Sequence, residues 1–127
     1  MPPHGLGEID VEVDEFTERL ARVRQRFAAA LPGKIGDGFA ALSTLTDTGA
    51  IETLVVTHRK LHEMCGIAPT IGFAATGTAV RAAETVLREP AKTKRPLTLE
   101  EAAAFKAALE GLREAAQTDL QSMTGRG

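Results

Sequence analysis

The sequence predicts an all-α fold, an up-and-down bundle of amphipathic helices joined by short loops. Apolar residues recur in alternating steps of three and four along most of the chain, which is the spacing of one helix face. No stretch alternates apolar and polar residues over the length of a strand, except the short acidic segment 9–13. Proline and glycine separate the periodic segments, and 127 residues suffice for one domain with its own core.

The first predicted helix carries a regular apolar stripe, formed by Val13, Phe16, Leu20, Val23, Phe27 and Ala30. Acidic residues crowd its start and arginines follow, an order that suits the helix dipole at the N-terminal end. We expect Pro32 and Gly33 to end this helix. The stripe predicts packing on the bundle as an additional N-terminal helix of a monomeric chain. A homodimer that pairs residues 13–30 of two copies, as in a coiled coil, is the alternative.

Four further helices are predicted after the first. Periodic segments indicate a second helix over residues 35–45, a third over 50–66 and a fourth over 70–89. Residues 90–97 contain two prolines and three basic residues and predict an exposed loop. The last helix is predicted over residues 98–123.

The start of the last helix has a capping signature. Thr98 is followed three residues later by Glu101, the spacing of a capping box. The sequence therefore predicts one helical domain over residues 9–124, between flexible tails at 1–8 and 125–127.

Composition excludes several classes of protein. The chain has no Trp or Tyr and a formal net charge of −2, so it offers no aromatic and basic surface of the kind that binds nucleic acid. Its one cysteine, Cys65, cannot form an internal disulfide. Neither a signal peptide nor a membrane-spanning segment is visible, and we therefore expect a cytoplasmic protein without membrane contact.

The segment from Leu61 to Phe73 is the most informative for chemistry. At about 100° per residue, His58 projects near the centre of the apolar face of the third helix, whereas His62 lies at its margin. His58 is therefore predicted to be packed, and His62 to be accessible. Gly66 lies one turn beyond His62 along the same face and has no side chain to shield the imidazole.

An accessible imidazole on a rigid helix has the properties of a nucleophile that enters another protein's active site. Imidazole changes protonation state near neutral pH, so a neutral ring with one free nitrogen lone pair is available. Attack on a phosphoryl group would give a labile phosphoramidate, from which the group can move on.

This segment resembles the signature of histidine phosphotransfer (HPt) domains of two-component phosphorelays. The family has a histidine, a hydrophobic residue two positions later, and glycines four and ten positions later. Here these residues are His62, Met64, Gly66 and Gly72, and Phe73 follows. The likeness covers most of the chain, with two predicted helices before the signature helix and two after it.

The resemblance implies an HPt four-helix bundle in which His62 is the phosphoacceptor. It implies a response-regulator receiver domain as partner, a hybrid sensor kinase as a further candidate, and Mg²⁺ on the receiver rather than any cofactor bound by this chain. It implies a phosphocarrier without turnover chemistry of its own, which leaves its status as an enzyme open. Cys65 stands where many members have a lysine. The residues expected to dock the partner or shape the site are Arg59, Glu63, Cys65, Gly66, Gly72 and Phe73.

Two other functions stay open on the sequence. The same surface suits an adaptor that binds a signalling partner without being phosphorylated. His58, His62 and Cys65 also share one helix face and form a partial ligand set for Zn²⁺ or haem, although no fourth ligand is evident.

Overall fold

The structure, a computed structural model, describes the backbone of residues 3–124 and the side chains of residues 14–123. The all-α prediction is confirmed, because the described residues form helices joined by short turns and contain no strand. The four helices are α1 (Pro3–Ala41), α2 (Ile51–Ile67), α3 (Ala74–Thr93) and α4 (Leu99–Thr124), with short 3₁₀ turns at Thr48–Ala50 and Pro69–Ile71. None of the described helices is long and apolar enough to cross a membrane. The tail predicted at 125–127 lies outside the described residues.

The chain divides into two units, residues 1–30 and residues 31–127. The described part of the first unit is a single stretch of α1. In the second unit, the last part of α1 packs with α2, α3 and α4 as a helical bundle. Its fully buried side chains include Leu31, Leu45, Leu54, Phe73, Val80, Leu87, Phe105, Leu109 and Leu112.

The prediction that Pro32 and Gly33 end the first helix is wrong, because both lie inside α1. The two N-terminal helices predicted separately are therefore one helix. A proline within a helix removes one hydrogen bond and costs about 3 kcal/mol. Leu31 and Ile35 flank the proline four residues apart on one helix face, and both are buried. Burial of two such side chains contributes a similar free energy, about 1.5–3 kcal/mol each, and keeps the helix intact.

The prediction of a loop from residue 90 is wrong at its start, because α3 continues to Thr93. Pro90 is fully buried, so its ring is better placed in the core than in an exposed loop. The helix ends at Lys94, which adopts a left-handed conformation with φ 53° and donates its N–H to the Pro90 carbonyl. The amide of Arg95 donates to the same carbonyl at 3.0 Å, so the helix end is satisfied locally.

The predicted capping box at the start of α4 is confirmed. The Thr98 N–H donates to Glu101 Oε1 at 2.9 Å, and the Glu101 N–H donates to Thr98 Oγ1 at 3.0 Å. The Arg95 guanidinium adds two further hydrogen bonds to the Glu101 carboxylate, at 2.8 and 2.9 Å. Arg95 and the Thr98 amide together lower the pKa of Glu101 to about 2.

The start of α3 is held by a residue of α4. Asp119 is buried, and its Oδ2 accepts the Thr76 backbone N–H and the Thr76 hydroxyl, each at 2.7 Å. Unpaired N–H groups at a helix start require acceptors, and here a carboxylate from a neighbouring helix satisfies one. This contact joins α3 to α4 and thereby fixes the helix that faces His62.

Candidate functional site

His62 lies on the exposed side of α2, and its imidazole faces α3. Its side chain is 71% exposed, whereas the side chain of Glu84 is only 3% exposed. His62 Nδ1 lies 3.0 Å from Glu84 Oε1, within hydrogen-bonding distance. One ring nitrogen of an exposed histidine is thus held by a buried carboxylate from the next helix.

Glu84 is shared by three side chains that carry or can carry positive charge. Arg88, one turn later on α3, donates Nη2 to Glu84 Oε2 at 2.7 Å. His58 Nε2 lies 3.4 Å from Glu84 Oε1, but it makes no hydrogen bond and is buried. The contact between His58 and Glu84 is therefore electrostatic and not a hydrogen bond. The His58 side chain is 23% exposed, and its ring stacks on that of His62 with 6.2 Å between centroids.

The surroundings of Glu84 keep it ionised. Burial raises its pKa, but the hydrogen bonds from Arg88 and His62, and the positive charge of Arg88, outweigh burial and lower the pKa below its ordinary value. An ionised carboxylate has no proton to donate. His62 Nδ1 is therefore the donor of the shared hydrogen bond.

The direction of this hydrogen bond decides which nitrogen of His62 can react. When the ring is neutral, its single proton is on Nδ1, and Nε2 carries the lone pair. Because the side chain is largely exposed, an incoming group can reach that lone pair. The pair of His62 and Glu84 thus presents an oriented nitrogen nucleophile at the surface.

A cavity of about 190 Å³ opens beside this pair. It is lined by His62, Cys65, Gly66, Arg81, Glu84 and Arg88. Two arginines therefore line the same cavity as His62, and their guanidinium groups suit an anion such as a phosphoryl group.

Sequence reasoning missed Arg81, Glu84 and Arg88. These residues are spaced by three and four on one helix, a signal of a shared face that the sequence does contain. Such charged faces are usually solvated, and nothing in the sequence says that this one faces His62. That relation depends on the rotation of α3 against α2.

Two predicted site residues line the cavity together with His62. Gly66 lies in α2, and a Cβ built on it would meet no atom within 4 Å beyond its own helix turn. Cys65 is half-buried; burial first, and then the charge of Glu84, raise the pKa of its thiol. The Cys65 sulfur therefore stays protonated at neutral pH and supplies no charge to the site.

The other predicted site residues lie outside the cavity. Arg59 and Glu63 are exposed on α2 and do not line it. Gly72 ends the turn after α2 with φ 93°, a conformation that glycine adopts without strain. Phe73 follows it and is fully buried in the core. The structure thus assigns Gly72 and Phe73 positions in the turn between α2 and α3.

The partial ligand set predicted for Zn²⁺ or haem is not completed among the residues that the structure describes. Among the residues that the structure describes, no group of three His, Cys, Asp or Glu side chains is placed to hold a metal ion. The partial ligand set of His58, His62 and Cys65 does not converge into such a group.

Comparison with family models, curated proteins and solved structures finds no match to this chain.

Proposed function

We propose that this chain is a histidine phosphotransfer protein, in which His62 carries a phosphoryl group to or from the aspartate of a receiver domain. The observation that carries the proposal is the hydrogen bond between His62 Nδ1 and the buried carboxylate of Glu84. It leaves Nε2 as the exposed nucleophile of a helix-borne histidine, next to a cavity lined by arginines.

The transfer step uses only groups that this chain and a phosphorylated receiver supply. The Nε2 lone pair attacks the phosphorus of the aspartyl phosphate, an N–P bond forms, the P–O bond to the aspartate breaks, and the carboxylate leaves. The ring keeps its proton on Nδ1 and becomes positively charged. Glu84, at 3.0 Å, stabilises that charge. In the reverse step the aspartate carboxylate attacks the phosphorus, and the ring returns to its neutral form.

In this proposal, the positive charge that stabilises the phosphoryl oxygens comes from arginines of α3 rather than from residue 65. Cys65 stands where many members of the resembling family have a lysine, and its protonated thiol offers no charge. Arg81 is exposed at the cavity, and Arg88 uses one guanidinium nitrogen on Glu84, so further N–H donors remain on both. The transition state of phosphoryl transfer is loose and spreads charge over these oxygens, which makes such donors effective.

The surface around His62 suits protein docking. Ile67 is exposed beside Gly66, and exposed apolar groups next to a reactive residue favour contact with a partner surface. Arg59 and Glu63 lie exposed on the same helix and would contact the rim of the receiver. In this proposal the receiver supplies the Mg²⁺ ion, and the protein acts in the cytoplasm, where such receivers work.

The proposal is tested by phosphorylating the purified chain. Radiolabelled phosphorylated receiver domains, and separately phosphoramidate, are incubated with the wild-type chain and with the His62→Gln and His58→Gln variants. We expect label that is stable to alkali, labile to acid, and lost only in the His62→Gln variant. His58→Gln is the matched control, because it changes the neighbouring histidine of the same helix.

Two results would contradict the proposal. Label that persists in His62→Gln would place the phosphoryl group on another residue. Absence of label from both donors, with binding to receivers retained, would favour the adaptor that uses the same surface without phosphorylation.

A further inference from the structure

In the first unit, residues 1–30, two described side chains of the apolar stripe of α1 are exposed. The described part of this unit is a single helix, and its side chains Phe16 and Val23 are 61% and 41% exposed. Helical propensity alone gives only marginal stability, so a helix with a continuous apolar stripe gains most from a partner surface.

The stripe has the spacing of a coiled coil over four heptads. The apolar residues fall at steps of three and four without a break, at Leu6, Ile9, Val13, Phe16, Leu20, Val23, Phe27 and Ala30. They occupy alternating a and d positions of one heptad register. Such a seam fits another helix with the same spacing.

The same eight positions are symmetric about residue 18. A second copy running antiparallel, with its residue 18 at the same height, sets every apolar position opposite another apolar position. The pairs are 6 with 30, 9 with 27, 13 with 23, and 16 with 20. Each pair joins an a position to a d position, as layers of antiparallel coiled coils do.

Charge selects this arrangement over the parallel one. The sequence has only acidic charges between residues 8 and 18 and only arginines between 19 and 26. In the antiparallel register, the acidic e position 10 lies on the same side of the seam as the arginine e position 24 of the second copy, and the acidic g position 12 on the same side as the arginine g position 26, each pair about 3 Å apart along the axis. A parallel pair would instead set acidic positions beside acidic positions and arginines beside arginines.

From these observations we infer that residues 6–30 of α1 form an antiparallel coiled-coil dimer with a second copy of this chain, centred on residue 18. The occupant of the stripe is the chain itself, because one sequence supplies both the matching seam and the opposite charges. This inference is independent of the proposed phosphotransfer function.

The first test is the oligomeric state of the full chain by sedimentation equilibrium over a range of concentrations at low salt. We expect a dimer that Phe16→Glu weakens by roughly 100-fold or more, since the charge would enter the seam of both copies. The matched control is Gln25→Glu, which adds the same charge at an exposed f position and should leave the dimer unchanged. Reversing the two flanking charges, Arg24→Glu with Arg26→Glu, should also weaken the dimer without altering any apolar residue.

The second test determines the direction of pairing by disulfide cross-linking in a Cys65→Ser background. Chains with Phe16→Cys, mixed with chains carrying Leu20→Cys, should form the mixed disulfide, identified by mass spectrometry. Either chain alone should cross-link poorly, because residue 16 would lie about 6 Å along the axis from its own counterpart, in addition to the separation of the helices.

Three results would overturn the inference. A monomer at all concentrations would show that no second copy of the chain binds the stripe. A dimer unaffected by Phe16→Glu and by the charge reversal would place the interface elsewhere. Efficient cross-linking of Phe16→Cys to itself would show a parallel pair.

Discussion

The substitution Glu84→Gln tests the geometry at His62 most directly, because it changes one oxygen of a buried carboxylate into an amide nitrogen. Arg88 is a donor only, so the single amide oxygen of the glutamine is expected to turn towards it. The NH₂ group then faces His62 Nδ1 and must donate to it. The neutral imidazole therefore moves its proton to Nε2, the nitrogen that the wild-type protein leaves free.

The size of the effect follows from the exchange of hydrogen bonds. A hydrogen bond to a charged group contributes about 1.5–3 kcal/mol, and because the His62 side chain is 71% exposed we take about 1–2 kcal/mol. That range changes the population of the reactive tautomer roughly 5–30-fold. The glutamine also stabilises the unreactive tautomer, so we expect phosphorylation of His62 to slow roughly 10–100-fold. Holding a histidine in the wrong tautomer lowers the reaction rate in the same way in other enzymes.

Two measurements check this expectation. Long-range ¹H–¹⁵N spectra of the imidazole, assigned with the His62→Gln variant, report which nitrogen carries the proton. The rate of label transfer to His62 reports reactivity. Glu101→Gln is the matched control, since it makes the same chemical change at a carboxylate that lies outside the cavity. A wild-type His62 with its proton on Nε2, or a Glu84→Gln variant with the wild-type tautomer, would refute the reasoning.

Three further outcomes are expected. Gly66→Ala should raise the free energy of unfolding by up to ~1 kcal/mol, because alanine favours the helix and its Cβ meets no atom nearby. The same substitution should slow phosphoryl transfer to His62. An unchanged transfer rate would show that the glycine does not provide access to the imidazole. Asp119→Ala should lower the free energy of unfolding, measured with urea, by about 2–4 kcal/mol, since it leaves the N–H and the hydroxyl of Thr76 unpaired. A decrease below about 1 kcal/mol would contradict the role of Asp119 in holding the start of α3. Glu101 has its pKa lowered from 4.5 to about 2 in the folded chain, so its stabilisation is complete above pH 4.5 and lost as the pH falls towards 2. The difference in unfolding free energy between wild type and Glu101→Gln should shrink over that window, and a constant difference would argue against the ion pair with Arg95.

Local patterns in the sequence were sufficient for the fold class and for one helix start. Periodicity of three and four predicted the helices because a helix face repeats at that spacing whatever it packs against. The capping box of Thr98 and Glu101 was predictable because all of its hydrogen bonds join residues three apart. The margin of the apolar face likewise indicated His62 rather than His58 as the accessible histidine, and their side-chain exposures of 71% and 23% have the same order.

Local rules failed where burial outweighed backbone preference. Pro32 and Pro90 both lie within helices, although proline normally ends or distorts one. In each case buried side chains at or beside the proline contribute the free energy that the missing hydrogen bond removes. That burial depends on neighbouring helices, so no rule applied to the proline and its sequence neighbours could include it.

The sequence by itself therefore determined an all-helical chain with an accessible histidine, His62, on its third periodic segment. Only the tertiary structure decided what surrounds that histidine. Glu84 lies 22 positions away along the chain, and its carboxylate reaches Nδ1 because of how α3 is rotated and seated against α2. The contact of Asp119 with Thr76 helps to set that seating. Contacts between helices depend on the packing of the whole core, and for that reason the orientation of the His62 ring could not be derived from residues 61–73 alone.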